Sequence, residues 1–172
     1  VTLPLGAPAL VRGLHLVSTA ALRDEGYCPG PAARELAASP RLTQALAAGA
    51  PGMAEADLAN TLVITSRAAL AKRIRNGLRG DATSAQRVVE KGRPTRATGI
   101  LPLVENLEAF AVARACARRG VPFAALVGIS NVVGADAHAT WKEMAPRASE
   151  AVARAITTWL LPEGAPFGTK RR

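Results

Sequence analysis

Two short polar clusters in the C-terminal half hold residue types able to act on a ligand. Glu105-Asn106-Leu107-Glu108 sets two carboxylates three residues apart, and Ser130-Asn131 closes an apolar run over 121–129. An ionised carboxylate offers two acceptor oxygens to hydrogen-bond donors. Each cluster has a structural explanation as well. Carboxylates at a helix start gain about 0.3–1 kcal/mol from the helix dipole, and Ser-Asn is a common strand-ending turn.

What raises the clusters above those explanations is the order of elements around them. Residues 100–104 read as a short strand. Residues 105–119 read as a helix, with Leu107, Phe110, Ala111, Arg114, Ala115 and Arg118 at helical spacing and Gly120 closing it. Residues 121–129 read as a strand covered on both faces. Strand, helix and strand in tight succession form a βαβ unit. If the two strands are parallel, both polar clusters fall at the carboxyl edge of the sheet, where open α/β sheets bind ligands.

Upstream, residues 14–19 (LHLVST) and 58–65 (LANTLVIT) are strand candidates, and 32–38 and 41–48 are short helices, the second preceded by Ser39-Pro40. Ser66 is placed to cap a helix that runs to Asn76 and stops at Gly77. Residues 23–31 read as loop and 79–98 as a basic connector with one helical turn near 86–90. Residues 144–161 read as a terminal amphipathic helix and 162–172 as a flexible tail, so residues 1–161 are expected to make a single domain.

The chain has 172 residues, of which 49% are hydrophobic and only 3% aromatic, so the core must be built from Ala, Leu and Val. The formal net charge is +9. Much of the excess lies between Arg67 and Arg96, but no aromatic falls between Tyr27 and Phe110 to stack on bases, so a solvated basic face is expected rather than a nucleic-acid site. The two cysteines, Cys28 and Cys116, have no metal-ligand spacing and read as reduced thiols, Cys116 on a buried helix face. No metal or cofactor is expected. The start of the chain lacks the basic and apolar pattern of a signal peptide, and the most apolar run is too short to span a bilayer, which points to the cytoplasm and away from membranes. Asp136, His138 and Ser130 are too close in sequence, with no strand–turn–helix elbow, to form a nucleophilic triad. His15 reads as a hydrogen-bonded strand residue.

The segment VENLEAFAVARACARRGVPFAALVGISNVVG, residues 104–134, resembles the nucleoside phosphorylase and nucleosidase superfamily. The branch it looks most like contains futalosine hydrolase and the methylthioadenosine/adenosylhomocysteine nucleosidases. The residues that carry the likeness are Leu107-Glu108 where the family has Met-Glu, then Gly120-Val121-Pro122-Phe123, then Ser130-Asn131. The resemblance implies an α/β fold, a three-layer αβα arrangement with a central mixed sheet. It also implies an N-terminally incomplete fold, since the family's first strands and Gly-rich loops have no counterpart before Leu14.

The implied activity is cleavage of the N-glycosidic bond of a purine-type nucleoside. Glu108 would take the ribose 2′- and 3′-hydroxyls, Leu107 would pack beneath the ribose, and Asn106 would add a polar contact. Asn131 would be the catalytic residue at the leaving base, with Ser130 on the base side. Phosphate is a possible cosubstrate, and a homo-oligomer is the expected assembly. Two departures bear on the chemistry. Asn131 has no carboxyl proton to give, and Val127 stands where the family often has Arg. Alternative readings are an inactive nucleoside-binding or scaffold member of the fold, and a basic nucleic-acid binder.

Overall fold

The computed structural model describes residues 3–17, 35–61, 64–85 and 101–161. Within them lie strands β1 (Pro8–Leu16), β2 (Glu35–Ala37), β3 (Ala54–Asn60), β4 (Leu103–Asn106) and β5 (Leu126–Gly128). The helices are α1 (Pro40–Gly49), α2 (Ala68–Ala85), α3 (Ala109–Arg118) and α4 (Ala137–Leu160).

β1 organises the sheet. It pairs in parallel with β3 along its whole length, and β3 pairs in parallel with β4. On its other side β1 pairs antiparallel with β5 through Pro8, Ala9 and Leu10, and antiparallel with β2 through Gly13, Leu14 and His15. The register against β3 shifts between Val11 and Gly13. Such a shift inserts one residue and resets the alternation of side chains. Val11 and Leu14, which strict alternation would send to opposite faces, therefore enter one core cluster with Leu58, Phe110 and Ala113. The intervening Arg12 is exposed and pairs with Glu55 at 3.6 Å.

The core has two sides. Val11, Leu14 and Leu58 meet α3 through Phe110 and Ala113, whereas Val17 and Ala59 meet α2 through Ile74, with Leu70, Leu78 and Leu103 around them. Adjacent residues of β3 thus serve opposite layers, as the period of two requires. Helices cover both faces of a mixed sheet, which is the three-layer arrangement expected.

Local signals in the sequence are realised at several helix ends. Ser39 caps α1, its hydroxyl accepting from the Leu42 amide at 3.4 Å, and Pro40 takes the first turn where no amide partner is needed. Gly120 closes α3 at φ +66°, with the Val121 amide donating to Cys116 and the Gly120 amide to Ala117. This left-handed closure satisfies two end carbonyls and favours glycine.

Other expectations are corrected. The strand expected over 14–19 begins at Pro8, and the one expected over 58–65 runs from Ala54 to Asn60. Residues 35–37, expected in a helix, form β2, because Leu36 pairs with Leu14 and packs against the α3-side core; tertiary pairing outweighs local propensity there. Residues 18–34, which include Cys28 and the expected loop, lie outside the described residues, as do 86–100 and 162–172. Gly77 does not stop its helix, since α2 continues to Ala85. α4 starts seven residues before Met144, at Ala137, and accommodates Pro146. Cys116 is half-buried rather than in the core.

The largest correction concerns β5. It runs antiparallel to β1, and β4 runs parallel to β1 through β3, so β4 and β5 point in opposite directions. The segment β4–α3–β5 is not a parallel βαβ unit. β5 is held instead from both ends of its pairing with β1: the Val11 amide donates to Ala125 at 3.0 Å and the Ile129 amide to Ala7 at 2.9 Å.

Gly128 lets α4 lie directly on β5. A Cβ there would stand 2.6 Å from the Ala148 carbonyl oxygen. Gly128→Ala must push the helix from the strand, an overpacking cost of about 1–3 kcal/mol. Urea unfolding is expected to show a lower midpoint with an unchanged slope, and an unaltered midpoint would contradict the close approach.

Candidate functional site

β3 and β4 end side by side, with Ala59 opposite Glu105 and Asn60 opposite Asn106. Three polar residues, Asn60, Glu105 and Asn106, therefore leave the sheet at one place, and each has a distinct use. The Glu105 carboxylate accepts from the Thr61 hydroxyl at 2.6 Å, the Thr65 hydroxyl at 2.7 Å and the Thr65 amide at 3.1 Å. Thr61 and Thr65 are both buried, so their hydroxyls depend on this acceptor. Glu105 is thus a clamp on the residues after β3.

Asn106 acts as the cap of α3. Its Oδ1 accepts from the amides of Glu108 at 2.9 Å and Ala109 at 2.7 Å. The polar contact expected of Asn106 toward a ligand is therefore limited to its Nδ2, because Oδ1 is engaged. Asn60, 3% exposed, donates from Nδ2 to the Leu107 carbonyl at 3.0 Å and accepts at Oδ1 from the Phe110 amide at 3.0 Å. With the Ala111 amide on the Glu108 carbonyl at 3.0 Å, the backbone from Leu107 to Phe110 is tied at every step.

The Glu108 side chain is the exception. It is exposed, and among the described residues its carboxylate has no hydrogen bond or ion pair. Leu107 beside it is half-buried. The two carboxylates that look equivalent in sequence thus divide into one that is consumed by the fold and one that is open to a ligand.

Ser130 and Asn131 follow β5, whose carboxyl end lies beside Pro8, while Asn60 and its neighbour Asn106 lie level with Leu16 at the far end of β1. Sheet register therefore does not bring the two clusters to one edge. Ser130 donates to Asn131 Oδ1 at 2.9 Å, and Asn131 Nδ2 reaches the Val132 carbonyl at 3.4 Å. Ser130 also lines an open groove of about 510 Å³ between β5 and α4, together with Leu126, Trp141, Val152 and Ile156.

Asn60, Thr61 and Thr65 were not singled out from sequence. Their polarity inside an apolar strand candidate was the available signal, since buried polar side chains need partners. His15, expected to be hydrogen-bonded, is buried, and its Nδ1 makes no hydrogen bond among the described residues, though the Glu35 carboxylate lies 3.5 Å away. His138 stacks on Trp141 with ring centroids 5.7 Å apart. Arg67, Lys72, Arg73 and Arg75 are exposed around α2, as a solvated basic face requires. No helix among the described residues is long and apolar enough to cross a membrane.

A mixed sheet with helices on both faces defines an α/β protein, a class whose open sheets bind ligands at strand carboxyl ends. Residues 7–160 match the family model described as the phosphorylase superfamily, and the chain belongs to that family. A comparison with curated proteins found no match. Among solved structures, the fold is similar to the 5′-methylthioadenosine/S-adenosylhomocysteine nucleosidase of Neisseria meningitidis, solved with methylthio-immucillin-A. The identity is 16% and the TM-score 0.65, covering 92% of this chain and 62% of that one. The corresponding nucleosidase of Colwellia psychrerythraea, solved with adenine, matches at 14% identity and TM-score 0.65, over 92% and 60% of the two chains. Futalosine hydrolase of Helicobacter pylori matches at 15% identity and TM-score 0.61, over 92% and 61%. The chain thus spans about three fifths of the length of these structures.

Removing the clamp is expected to be costly. Glu105→Ala leaves the Thr61 and Thr65 hydroxyls and the Thr65 amide without their acceptor, a loss of about 2–4 kcal/mol at the usual penalty for unpaired buried groups. Adding Thr61→Val and Thr65→Val should recover part of it, because no hydroxyl is then stranded. Urea midpoints of the single and triple variants test this, and a Glu105→Ala protein as stable as the parent would refute the clamp.

Proposed function

We propose that this chain cleaves, or contributes a site for cleaving, the N-glycosidic bond of a purine-type nucleoside, with Glu108 holding the ribose. The observation that carries the reading is the Glu108 carboxylate, without a partner among the described residues, on a fully tied backbone turn. Membership of the phosphorylase superfamily supports it, as do the nucleoside analogue and the adenine bound by the two nucleosidases of like fold.

In this reading the Glu108 oxygens accept from the 2′- and 3′-hydroxyls, and Leu107 supplies an apolar floor. As the C–N bond stretches, positive charge grows on the ribose ring, and a fixed carboxylate nearby lowers the barrier. Asn106 contributes through Nδ2. Ser130 and Asn131 are assigned to the base side, which requires a second copy of the chain in the homo-oligomer to bring them to Glu108, since the sheet register of one chain does not. Asn131 stabilises charge arriving on the base by donating a hydrogen bond rather than a proton, so the proton comes from solvent or from another group. Phosphate as cosubstrate gives phosphorolysis, and water gives hydrolysis. Residues 1–161 act as one domain, in a homo-oligomer in the cytoplasm.

The test is release of free base from a panel of purine nucleosides, futalosine and methylthioadenosine, each with and without phosphate. Release from at least one is expected, and a silent panel overturns the proposal. Glu108→Ala removes two charge-assisted hydrogen bonds, and a loss of about 3–4 kcal/mol in the transition state corresponds to roughly 10²–10³-fold in kcat/KM on ribosides. Kinetics unchanged by Glu108→Ala would remove the carboxylate from the ribose site.

A further inference from the structure

We infer that Asn60 is a positioning residue for Glu108, acting across the sheet from a different strand. The inference rests on the ribose role proposed for Glu108, but its structural half is testable alone. Asn60 ends β3, and Glu108 follows β4. The Asn60 side chain is 3% exposed and uses both ends of its amide on the turn that bears Glu108. Nδ2 donates to the carbonyl just before Glu108, and Oδ1 accepts from the amide two residues after it, each at 3.0 Å. The two bonds bracket Glu108 and fix the plane of the peptide that precedes it.

Asn106 alone cannot do this. It holds the amides of Glu108 and Ala109 from the last residue of β4, the strand that runs directly into the turn, and leaves the Leu107 carbonyl and the Phe110 amide to Asn60. Asn60 belongs to β3, which is hydrogen-bonded on both sides, to β1 and to β4. It therefore refers the position of Glu108 to the rigid part of the sheet. A ligand-binding carboxylate on a mobile turn loses much of its advantage, because small displacements of a positioned group cost large factors in rate.

The two backbone partners argue for the amide in particular. One oxygen and one NH₂ group must face a donor and an acceptor at the same time. Asn60→Asp keeps the acceptor for Phe110 but sets a carboxylate oxygen against the Leu107 carbonyl. Asn60→Ala removes both bonds. The two variants therefore separate loss of the bracket from simple loss of volume.

Hydrogen exchange of the purified 172-residue chain reads the positioning directly. The informative amides are Glu108 and Ala109, whose own acceptor, Asn106, is untouched by either substitution. In Asn60→Ala and Asn60→Asp these amides are expected to exchange at least tenfold faster, with the β1 and β3 amides unchanged. Unchanged protection of Glu108 and Ala109 in either folded variant overturns the inference. The second readout is the ratio of kcat/KM for a riboside over its 2′-deoxyriboside. A displaced Glu108 should lower it about tenfold toward the Glu108→Ala value, and Asn60→Ala should add nothing to Glu108→Ala. A purely structural Asn60 would depress both substrates alike, leave the ratio intact and refute positioning. Faster exchange in the variants with no base release by the parent chain would sustain the bracket while sinking the proposed reaction.

Discussion

The register of β3 against β4 is the constraint on which the other polar features depend. With Ala59 beside Glu105 and Asn60 beside Asn106, alternate residues of both strands face the same layers. Leu58 and Val104 go to the α3 side, and Ala59 and Leu103 go to the α2 side. A slip of one residue would turn Glu105 into the Phe110 cluster and Val104 away from it, so apolar burial on both faces enforces the pairing. Once the pairing is set, Glu105 meets Thr61 and Thr65, and Asn60 meets the start of α3. Hydrophobic packing chooses the register, and the hydrogen bonds at the strand ends convert it into a defined turn. Each of those bonds is stronger for being partly withdrawn from water, and each would be expensive to leave unmade.

Sequence reading succeeded where the physics is local. Ser39-Pro40 announces a helix start and Gly120 a helix end, because capping uses residues within one turn of each other. The apolar content around residues 104 and 126 marked β4 and β5, and the phosphorylase likeness of 104–134 marked the family. Direction was not legible. A short strand after a helix and a Gly turn suits either orientation, and what orients β5 is its antiparallel partner, Pro8–Leu10, more than a hundred residues away. β2 was missed for the same reason, since Glu-Leu-Ala favours a helix until Leu14 is available to pair with Leu36.

The candidate site shows the same division. Residue types placed Glu105, Asn106 and Glu108 together correctly, but not what each does. Asn60 reaches Phe110 across 50 positions of sequence, a separation at which no spacing rule operates. Its only trace was an amide inside an apolar strand candidate.

Identity of 16% with nucleosidases secures the arrangement of strands and helices and leaves the chemistry to individual side chains. At that level the useful distinction is between polar groups that the fold has saturated and those it has left open. Both oxygens of Glu105 and the Oδ1 of Asn106 are taken. Ser130 and Asn131 satisfy each other by a bond between adjacent residues, which a ligand with better geometry can replace at little cost because neither side chain is deeply buried. Among the described residues, Glu108 has no bond to give up. An exposed carboxylate on the surface is ordinary by itself, but four bonds from two asparagine side chains spent on the residues from Leu107 to Phe110 are not. Ordering a turn so fully costs conformational entropy, and a free carboxylate at its centre gains from that order only when something binds there.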